Sequence, residues 1–205
     1  MIAGMYVPEH FREDRTEVLH QAMRQIGFAT LVTQNLDANH LPMLLEDNVL
    51  RGHVARANPV WKSGEGAALA IFLGPHAYVS PNWYPSKAET GKAVPTWNYI
   101  TMHARGVIRW RQEPDWLRAH VTALSHAHES PLAEPWAVSD APADYIEAML
   151  RGIVGFELAI EKLEGKYKLS QNRDTADHAG VREGFEREGR PDLAHLMNQD
   201  LMDGA

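Results

Sequence analysis

The sequence predicts a mainly β fold of the α+β class, in which a closed or split β-barrel carries helices at its edges. Six strand-like segments follow one another between residues 28 and 111, and helices are inserted late, after Pro114. Strands and helices do not alternate regularly, which argues against a doubly wound parallel sheet.

The first half of the chain contains one helix and then the strand-like segments. Thr16 can cap a helix whose apolar positions Leu19, Ala22, Met23 and Ile26 follow a 3.6-residue period, and Gly27 ends it. Strand formers then recur in segments 28–33, 40–45, 49–57, 67–73, 78–84 and 96–111, with turns at 35–39 and 46–48.

After Pro114 the spacing of apolar residues changes to that of helices. Trp116, Leu117, Val121 and Leu124 mark one helix, and Tyr145, Ile146, Met149 and Leu150 mark another, with Ser139 or Asp140 as its candidate cap. Alternation from Val154 to Glu161 predicts a half-buried strand. The chain is charged and helix-prone from Asp174 onward, with a break at residues 189–191. We expect a single domain over residues 1–205, with residues 174–205 as a helical C-terminal extension.

Composition is that of a soluble globular protein: 44% of the 205 residues are hydrophobic and 23% are charged. No run of 18 apolar residues predicts a transmembrane helix, and the N-terminus lacks the basic and apolar regions of a signal peptide. The chain has no cysteine, which excludes disulfides, thiolate metal sites and a cysteine nucleophile. We expect a cytoplasmic protein with no membrane partner.

The net charge of −7 bears on possible partners. DNA-binding proteins normally present a basic face that neutralises phosphates, so direct DNA binding is doubtful. Residues 51–111 are the more basic part of the chain, and their charges suit a small phosphate ligand equally well.

Several familiar chemistries have no motif here. The chain contains no G-x-G-x-x-G, no P-loop and no G-x-S-x-G nucleophile elbow. His126 and His128 would point about 200° apart on a helix, so they cannot readily share a metal ion. No metal site is predicted.

Two segments repeat one pattern of a β-branched residue, a proline, a small polar residue, and then Trp and Tyr. They are Val79–Tyr84 and Val94–Tyr99. Flat aromatic side chains beside hydroxyl and amide groups suit a site for a planar ring with polar edges. The alternative is two strands that place bulky residues in the core.

A polar cluster lies in the segment from Arg51 to Pro59. If the segment is a strand that turns at Asn58, then Arg56 and Asn58 lie at one rim. An arginine offers two parallel donors to a phosphate, and His53 adds another. The alternative is a surface arginine beside an ordinary Asn-Pro turn.

In these two segments, in the Arg51–Pro59 cluster and in several other short blocks, the chain resembles the PaiB-like family of FMN-binding negative transcriptional regulators. The resemblance rests on Met5–Phe11, His40–Pro42, Gly52–Pro59, the two aromatic segments and Lys166–Arg173, in this order. It covers residues 5–173 and the helical tail. Three features depart from the family pattern: a short turn at residues 46–48, Asn39 in place of Thr, and Asn82 in place of Ser.

The resemblance implies an FMN-binding split barrel, usually a homodimer with flavin in a cleft between subunits. It implies that the FMN phosphate lies near His53, Arg56 and Asn58, with Lys87 or Lys92 as helpers. The residues that would surround the ring or the adjacent substrate space are Ser80, Trp83, Tyr84, Thr96, Trp97 and Asn98. The residues that would reach across from the partner subunit are Lys168, Gln171 and Arg173.

The role of the flavin stays open between three hypotheses. The family name implies a negative transcriptional regulator, acting directly or through a partner. Related folds imply a flavin-dependent oxidoreductase of the pyridoxamine-phosphate-oxidase-like group, in which the cofactor transfers electrons or hydride. The third hypothesis is a haem-binding or haem-degrading protein, with His53 or another histidine as ligand.

Overall fold

Eight strands form one sheet in the computed structural model, which describes residues 4–203 and, for side chains, residues 4–198. The strands are β1 (Arg12–Glu13), β2 (Phe28–Thr33), β3 (Ala38–Pro42), β4 (Leu44–Glu46), β5 (Val49–Ala55), β6 (Gly66–Val79), β7 (Thr96–Arg111) and β8 (Ile153–Lys168). Their order is β3-β2-β6-β7-β8-β5-β4, and β1 pairs with β8. The mainly β class is therefore confirmed.

Six helices accompany the sheet in the described part of the chain. They are α1 (Thr16–Ile26), α2 (Pro85–Thr90), α3 (Pro114–Glu129), α4 (Ala143–Arg151), α5 (Thr175–Arg187) and α6 (Pro191–Asp203). None of the described helices is both long enough and apolar enough to span a membrane.

The chain divides into two compact units. The terminal unit comprises Met1–Leu19, Leu73–Met102 and Glu164–Ala205, and the central unit comprises His20–Phe72 and His103–Leu163. The predicted single domain also includes residues 1–3, 204 and 205, which lie outside the described residues, and the single-domain organisation stays a prediction.

In the central unit, alternation along β5 separates a buried face from a polar one. Leu50, Gly52 and Val54 are buried, whereas Arg51 and His53 are only partly buried. Glycine is needed at position 52, because a Cβ atom there would lie 2.5 Å from Cζ of Phe156 on β8. The strand pair therefore packs closely and presents Arg51 and His53 on its other face.

Helix α3 packs against β8 within the central unit at another glycine. A Cβ atom at Gly155 would lie 2.1 Å from Cζ3 of Trp116. His53 pairs with Gly155 in the antiparallel register of β5 and β8. This close packing brings Trp116 and His120 of α3 to the polar face of β5.

In the terminal unit, α5 and α6 enclose a core with the ends of the long strands. Its buried members are Val79, Tyr84, Ile100, Leu169, Val181, Phe185, Leu193, Ala194 and Met197. A Cβ atom at Gly184 would lie 2.3 Å from Cδ2 of Trp83, so α5 lies directly against the indole ring. The predicted helical tail is confirmed as α5 and α6, with a break before Pro191.

The prediction of a strand over residues 78–84 is wrong beyond Val79. The chain leaves the sheet there, forms a 3-10 turn at Pro81–Trp83 and enters α2 at Pro85. Pro81 has no N–H for the sheet, and Ser80 Oγ accepts a hydrogen bond from Asn82 N at 3.2 Å. The first aromatic segment is therefore a turn rather than a strand.

Other boundaries differ by a few residues. Segment 40–45 is divided between β3 and β4, and β8 extends to Lys168 rather than residue 161. Asp140 does not cap α4, because its carboxylate accepts from Ala137 N at 2.9 Å within a separate 3-10 turn at Val138–Asp140. Ser139 lies in the same turn, and Pro142 is the residue that precedes α4.

Candidate functional site

Three cations gather at the end of β8 in the terminal unit: Lys166, Lys168 and Arg173, here called the basic cluster. Lys166 and Lys168 are two residues apart on the strand, so they share a face. Burial lowers the pKa of Lys168, and the positive charges of Lys166 and Arg173 lower it further. The three charges therefore destabilise one another.

Lys168 is held between two residues of β7. Its Nζ donates to Thr96 Oγ1 at 2.7 Å and to the carbonyl oxygen of Trp97. Both partners are uncharged, so these hydrogen bonds orient the ammonium group without neutralising it. Thr96, Trp97 and Lys168, all predicted site residues, are thus brought together.

No carboxylate forms an ion pair with the basic cluster among the residues that the structure describes. The cations instead face aromatic rings: Lys166 Nζ lies 5.5 Å from the ring centre of Tyr99, and Lys168 Nζ lies 5.7 Å from that of Phe11. This surrounding leaves the cluster free to bind an anion.

Tyr84 adds a buried polar atom beside the basic cluster. Its side chain is 2% exposed, and its hydroxyl group has no hydrogen-bond partner of normal geometry within the described part of the chain. The guanidinium carbon of Arg173 lies over the ring, 4.5 Å from its centre. Burial raises the pKa of Tyr84, and the charge of Arg173 and a side-chain hydrogen bond with it oppose that shift. The negative charge of Asp177 adds to the rise.

The turn after β8 is built by its own polar side chains. Gln171 accepts from Leu169 N at 2.7 Å and donates to the Tyr167 carbonyl oxygen at 2.6 Å. Ser170, at a φ of 69°, donates through Oγ to Oδ1 of the fully buried Asn98 at 3.1 Å. Gln171 and Asn98 therefore hold the turn that leads to Arg173.

The polar side chains of the turn after β6 also form hydrogen bonds with nearby residues of the same segment. Lys87 Nζ donates to Asn82 Oδ1, and Asn82 N donates to Ser80 Oγ. Trp83 packs edge to face on Phe185, with ring centres 5.3 Å apart. Ser80 and Trp83 thus belong to one turn, which Lys87 of α2 contacts through Asn82. A groove of about 560 Å³ lies beside this turn.

In the central unit, His53 belongs to a histidine pair. Its Nδ1 lies 3.1 Å from His120 Nε2, and the His120 ring stacks on Trp116 at 5.2 Å. Burial lowers the pKa of His53, and burial with the nearby His53 and Arg51 lowers the pKa of His120 to about 4. Both rings are therefore neutral at pH 7.

A carboxylate beside the histidine pair binds two arginines. Glu157 accepts from Arg51 Nε at 3.0 Å and from Arg111 Nε at 2.9 Å. Burial opposes ionisation of Glu157, but the hydrogen bonds from Arg111 and Arg51 lower its pKa overall. Glu46 also pairs with Arg51, so two carboxylates neutralise the two arginines.

Arg56 and Asn58 bind protein groups at the end of β5. Arg56 donates to the carbonyl oxygens of Arg151 at 2.7 Å and Ile153 at 2.9 Å, and to Gln112 Oε1 at 2.8 Å. Asn58 donates to Asn39 Oδ1 and accepts from Val60 N, so it caps the following turn.

The thirteen predicted site residues thus fall into both units. His53, Arg56 and Asn58 lie in the central unit, and hydrogen bonds join them to other residues rather than to one another. The other ten lie in the terminal unit. The cofactor-binding role of all thirteen stays a prediction.

Two groups of side chains were not singled out by the sequence analysis. Lys166 could have been found from its alternation with Lys168 along a strand. The contacts of Glu157 with two arginines, and of His120 with His53, depend on strand register and on the packing of α3, so no local motif signals them.

A family model described as "Putative FMN-binding domain" matches residues 5–162. Among curated proteins, protease synthase and sporulation protein PAI 2 of Bacillus subtilis is 32% identical over 209 residues, which cover 96% of this chain and 98% of that protein. A protein from Emericella nidulans is 33% identical over 90% of this chain and 92% of its own length.

Solved structures show the same fold at low sequence identity. An FAD- and haem-binding protein from Mycobacterium smegmatis has a TM-score of 0.58 at 14% identity, covering 82% of this chain and 78% of that one. The flavocytochrome Anf3 from Azotobacter vinelandii has a TM-score of 0.55 at 10% identity, covering 85% of this chain and 78% of that one. The predicted split barrel is thereby confirmed.

The residues of the terminal unit fit the cofactor named by the family. FMN carries a phosphate, which needs cations, and the basic cluster supplies three without an internal carboxylate partner in the described part of the chain. This chain belongs to the PaiB-like family of FMN-binding proteins, with FMN as its cofactor.

Proposed function

We propose that the basic cluster holds the phosphate of FMN, with Lys168 and Arg173 as its main ligands. The observation that carries the proposal is the gathering of three cations that have no carboxylate partner within the described residues. Their mutual repulsion disfavours the charged form of Lys168, and a phosphate dianion would relieve it. Unneutralised charge of this kind is typical of ligand sites.

The aromatic side chains of the same unit support a place for the flavin ring. Trp97 is 52% exposed and Tyr78 is 47% exposed, with ring centres 6.3 Å apart. Exposed aromatic faces of this size supply stacking area for a planar ring. When bound, FMN supplies electron or hydride transfer, and the chain supplies binding and orientation.

The phosphate site is tested by FMN titration of Lys168→Met and Arg173→Met, followed by quenching of flavin fluorescence. Each variant should weaken FMN binding about 10-fold or more, the usual effect of losing a charged hydrogen bond. Lys62→Met is the matched control, because Lys62 is an exposed lysine of the central unit. Affinities within twofold of the wild type for both cluster variants would disprove the site.

We further propose that any regulatory role is indirect, without sequence-specific DNA contacts. The name of the B. subtilis relative, protease synthase and sporulation protein, supports a regulatory association. Helix α6, of sequence PDLAHLMNQDLMD, has three aspartates and no lysine or arginine, so the α5–α6 pair lacks a basic recognition helix. Retention of an operator fragment at physiological salt should not exceed retention of random DNA, and a clear excess would refute indirect action.

A homodimer with flavin in a cleft between subunits is also part of the proposal. The exposed apolar side chains Leu73, Tyr78 and Trp97 of the terminal unit support it, since dimerisation removes such surface from water. Light scattering of the FMN-loaded protein should give twice the chain mass. A monomer that retains FMN would contradict the dimeric cleft. A cytoplasmic location stays a prediction.

The oxidoreductase hypothesis is supported by the exposure of Trp97 and Tyr78, because a ring stacked there would remain open to a second reactant. Consumption of reduced nicotinamide in the presence of an acceptor would favour it over a purely regulatory role. The haem hypothesis retains His53 as its candidate ligand, although Nδ1 of that ring pairs with His120. Absorption spectra after adding haem would distinguish the two cofactors.

A further inference from the structure

A second cavity lies wholly within the central unit. It measures about 480 Å³ and is bounded by the end of β5, the first turn of α3 and the last turn of α4. Its size is that of a small-molecule pocket. Here it is called the arginine pocket, because Arg56, Arg118 and Arg151 line it.

The charges of the arginine pocket do not cancel. Asp115 and Glu147 also line it, so three guanidinium groups face two carboxylates, a net charge of +1. Arg118 and Arg151 form no ion pair with either carboxylate or with another described residue. Two guanidinium groups therefore remain available to an anion inside the cavity.

Arg56 lines the arginine pocket with a guanidinium group whose orientation is fixed. Three of its five N–H donors are directed to Arg151 O, Ile153 O and Gln112 Oε1. These bonds fix the plane of the guanidinium group and leave two donors without a partner among the described residues. A guanidinium that is already oriented loses little entropy when it binds an oxyanion.

Apolar side chains also line the arginine pocket, beside the polar side chain of Gln112. Leu117 is 2% exposed and Leu150 is 6% exposed, and both line the cavity and pack with Ile146 between α3 and α4. A ligand would therefore meet both cations and aliphatic carbon. This combination suits a molecule with one compact oxyanion and an apolar body.

We propose that the arginine pocket binds a small organic anion, a carboxylate or phosphate monoester with an apolar body, separately from FMN. Arg118 and Arg151 bind the oxyanion, Arg56 adds an oriented donor edge, and Leu117 and Leu150 contact the apolar part. Asp115 and Glu147, which also line the pocket, disfavour ligands with more than one anionic group.

The test uses FMN-loaded protein, with benzoate and phenyl phosphate as probes in NMR titrations. Both carry one anionic group on a phenyl ring, and benzyl alcohol is the neutral probe of matched size. We expect saturable binding of at least one anion, at least fivefold tighter than benzyl alcohol. Arg118→Met and Arg151→Met should each weaken the anion at least fivefold, whereas the exposed Arg187→Met of α5 should leave it unchanged.

Three outcomes would overturn the proposal: no saturable binding of either anion, equal binding of benzyl alcohol, or anion binding unaffected by both arginine variants. Displacement of the bound anion by added FMN would also overturn it, since the cavity would then belong to the flavin site. Lys168→Met should retain anion binding. A failure at the basic cluster is thus distinguishable from a failure at the arginine pocket.

Discussion

The basic cluster differs from the group formed by Glu157, Arg51 and Arg111, here called the Glu157 cluster, in whether its positive charges are neutralised. In the central unit, Arg51 and Arg111 converge on Glu157, and Glu46 also pairs with Arg51, so two carboxylates neutralise the two arginines. In the terminal unit, Lys166, Lys168 and Arg173 gather with no carboxylate partner in the described part of the chain. Neutralised cations contribute to the fold, whereas cations that repel one another are candidates for binding an anion.

The largest expected effect concerns the histidine pair, where the central unit excludes charge by burial. The pKa of His120 is lowered from 6.5 to about 4, so the unfolded chain binds more protons between these values. Stability should therefore be full above pH 6.5 and fall as the pH drops toward 4, by about 3 kcal/mol from this group. Urea unfolding at a series of pH values measures the loss.

His120→Gln should remove that part of the pH dependence, although it also removes the contacts of the imidazole. His126→Gln, at an exposed position of the same helix, should leave the dependence intact. Glu157, whose pKa is lowered overall, adds a further loss at still lower pH that both variants retain. An unaltered pH profile in His120→Gln would show that the pair does not titrate as described.

The second prediction compares the two clusters directly. Glu157→Gln leaves Arg51 and Arg111 without their shared carboxylate, so it should lower the free energy of unfolding by about 2 kcal/mol. Glu157→Gln should change FMN affinity less than twofold. Lys168→Met should instead weaken FMN binding and leave the free energy of unfolding nearly unchanged. Chemical denaturation and FMN titration of both variants measure this. A large loss of flavin affinity in Glu157→Gln would mean that the Glu157 cluster also contributes to the flavin site.

The smallest effect is expected at Arg56, which the sequence analysis assigned to the FMN phosphate. Its three hydrogen bonds to protein oxygens predict that Arg56→Ala lowers the free energy of unfolding by about 1 kcal/mol. Because the proposed phosphate site consists of Lys166, Lys168 and Arg173, we expect FMN affinity to change less than twofold. A tenfold loss of FMN affinity would instead support the phosphate role predicted from the sequence.

Part of the candidate site could be predicted because one short block of sequence contains two of its residues. The Lys166–Arg173 block identified Lys168 and Arg173, and the split barrel followed from the order of strands and the family resemblance. The segment after Val79 was not predictable as a turn from its aromatic content, since Trp and Tyr also favour strands. Pro81 and the hydroxyl of Ser80 decided that conformation locally.

The sequence by itself determined the mainly β class, the helical tail and the family, and it singled out Lys168 and Arg173 of the basic cluster but not Lys166. These features depend on the local spacing of apolar and polar residues and on motifs that are contiguous in the sequence. Only the tertiary structure decided which charges are neutralised, because ion pairs such as Arg51–Glu157 join residues far apart in the chain through strand register. The arginine pocket has the same origin: its three arginines come from three separate segments, and packing alone brings them to one cavity.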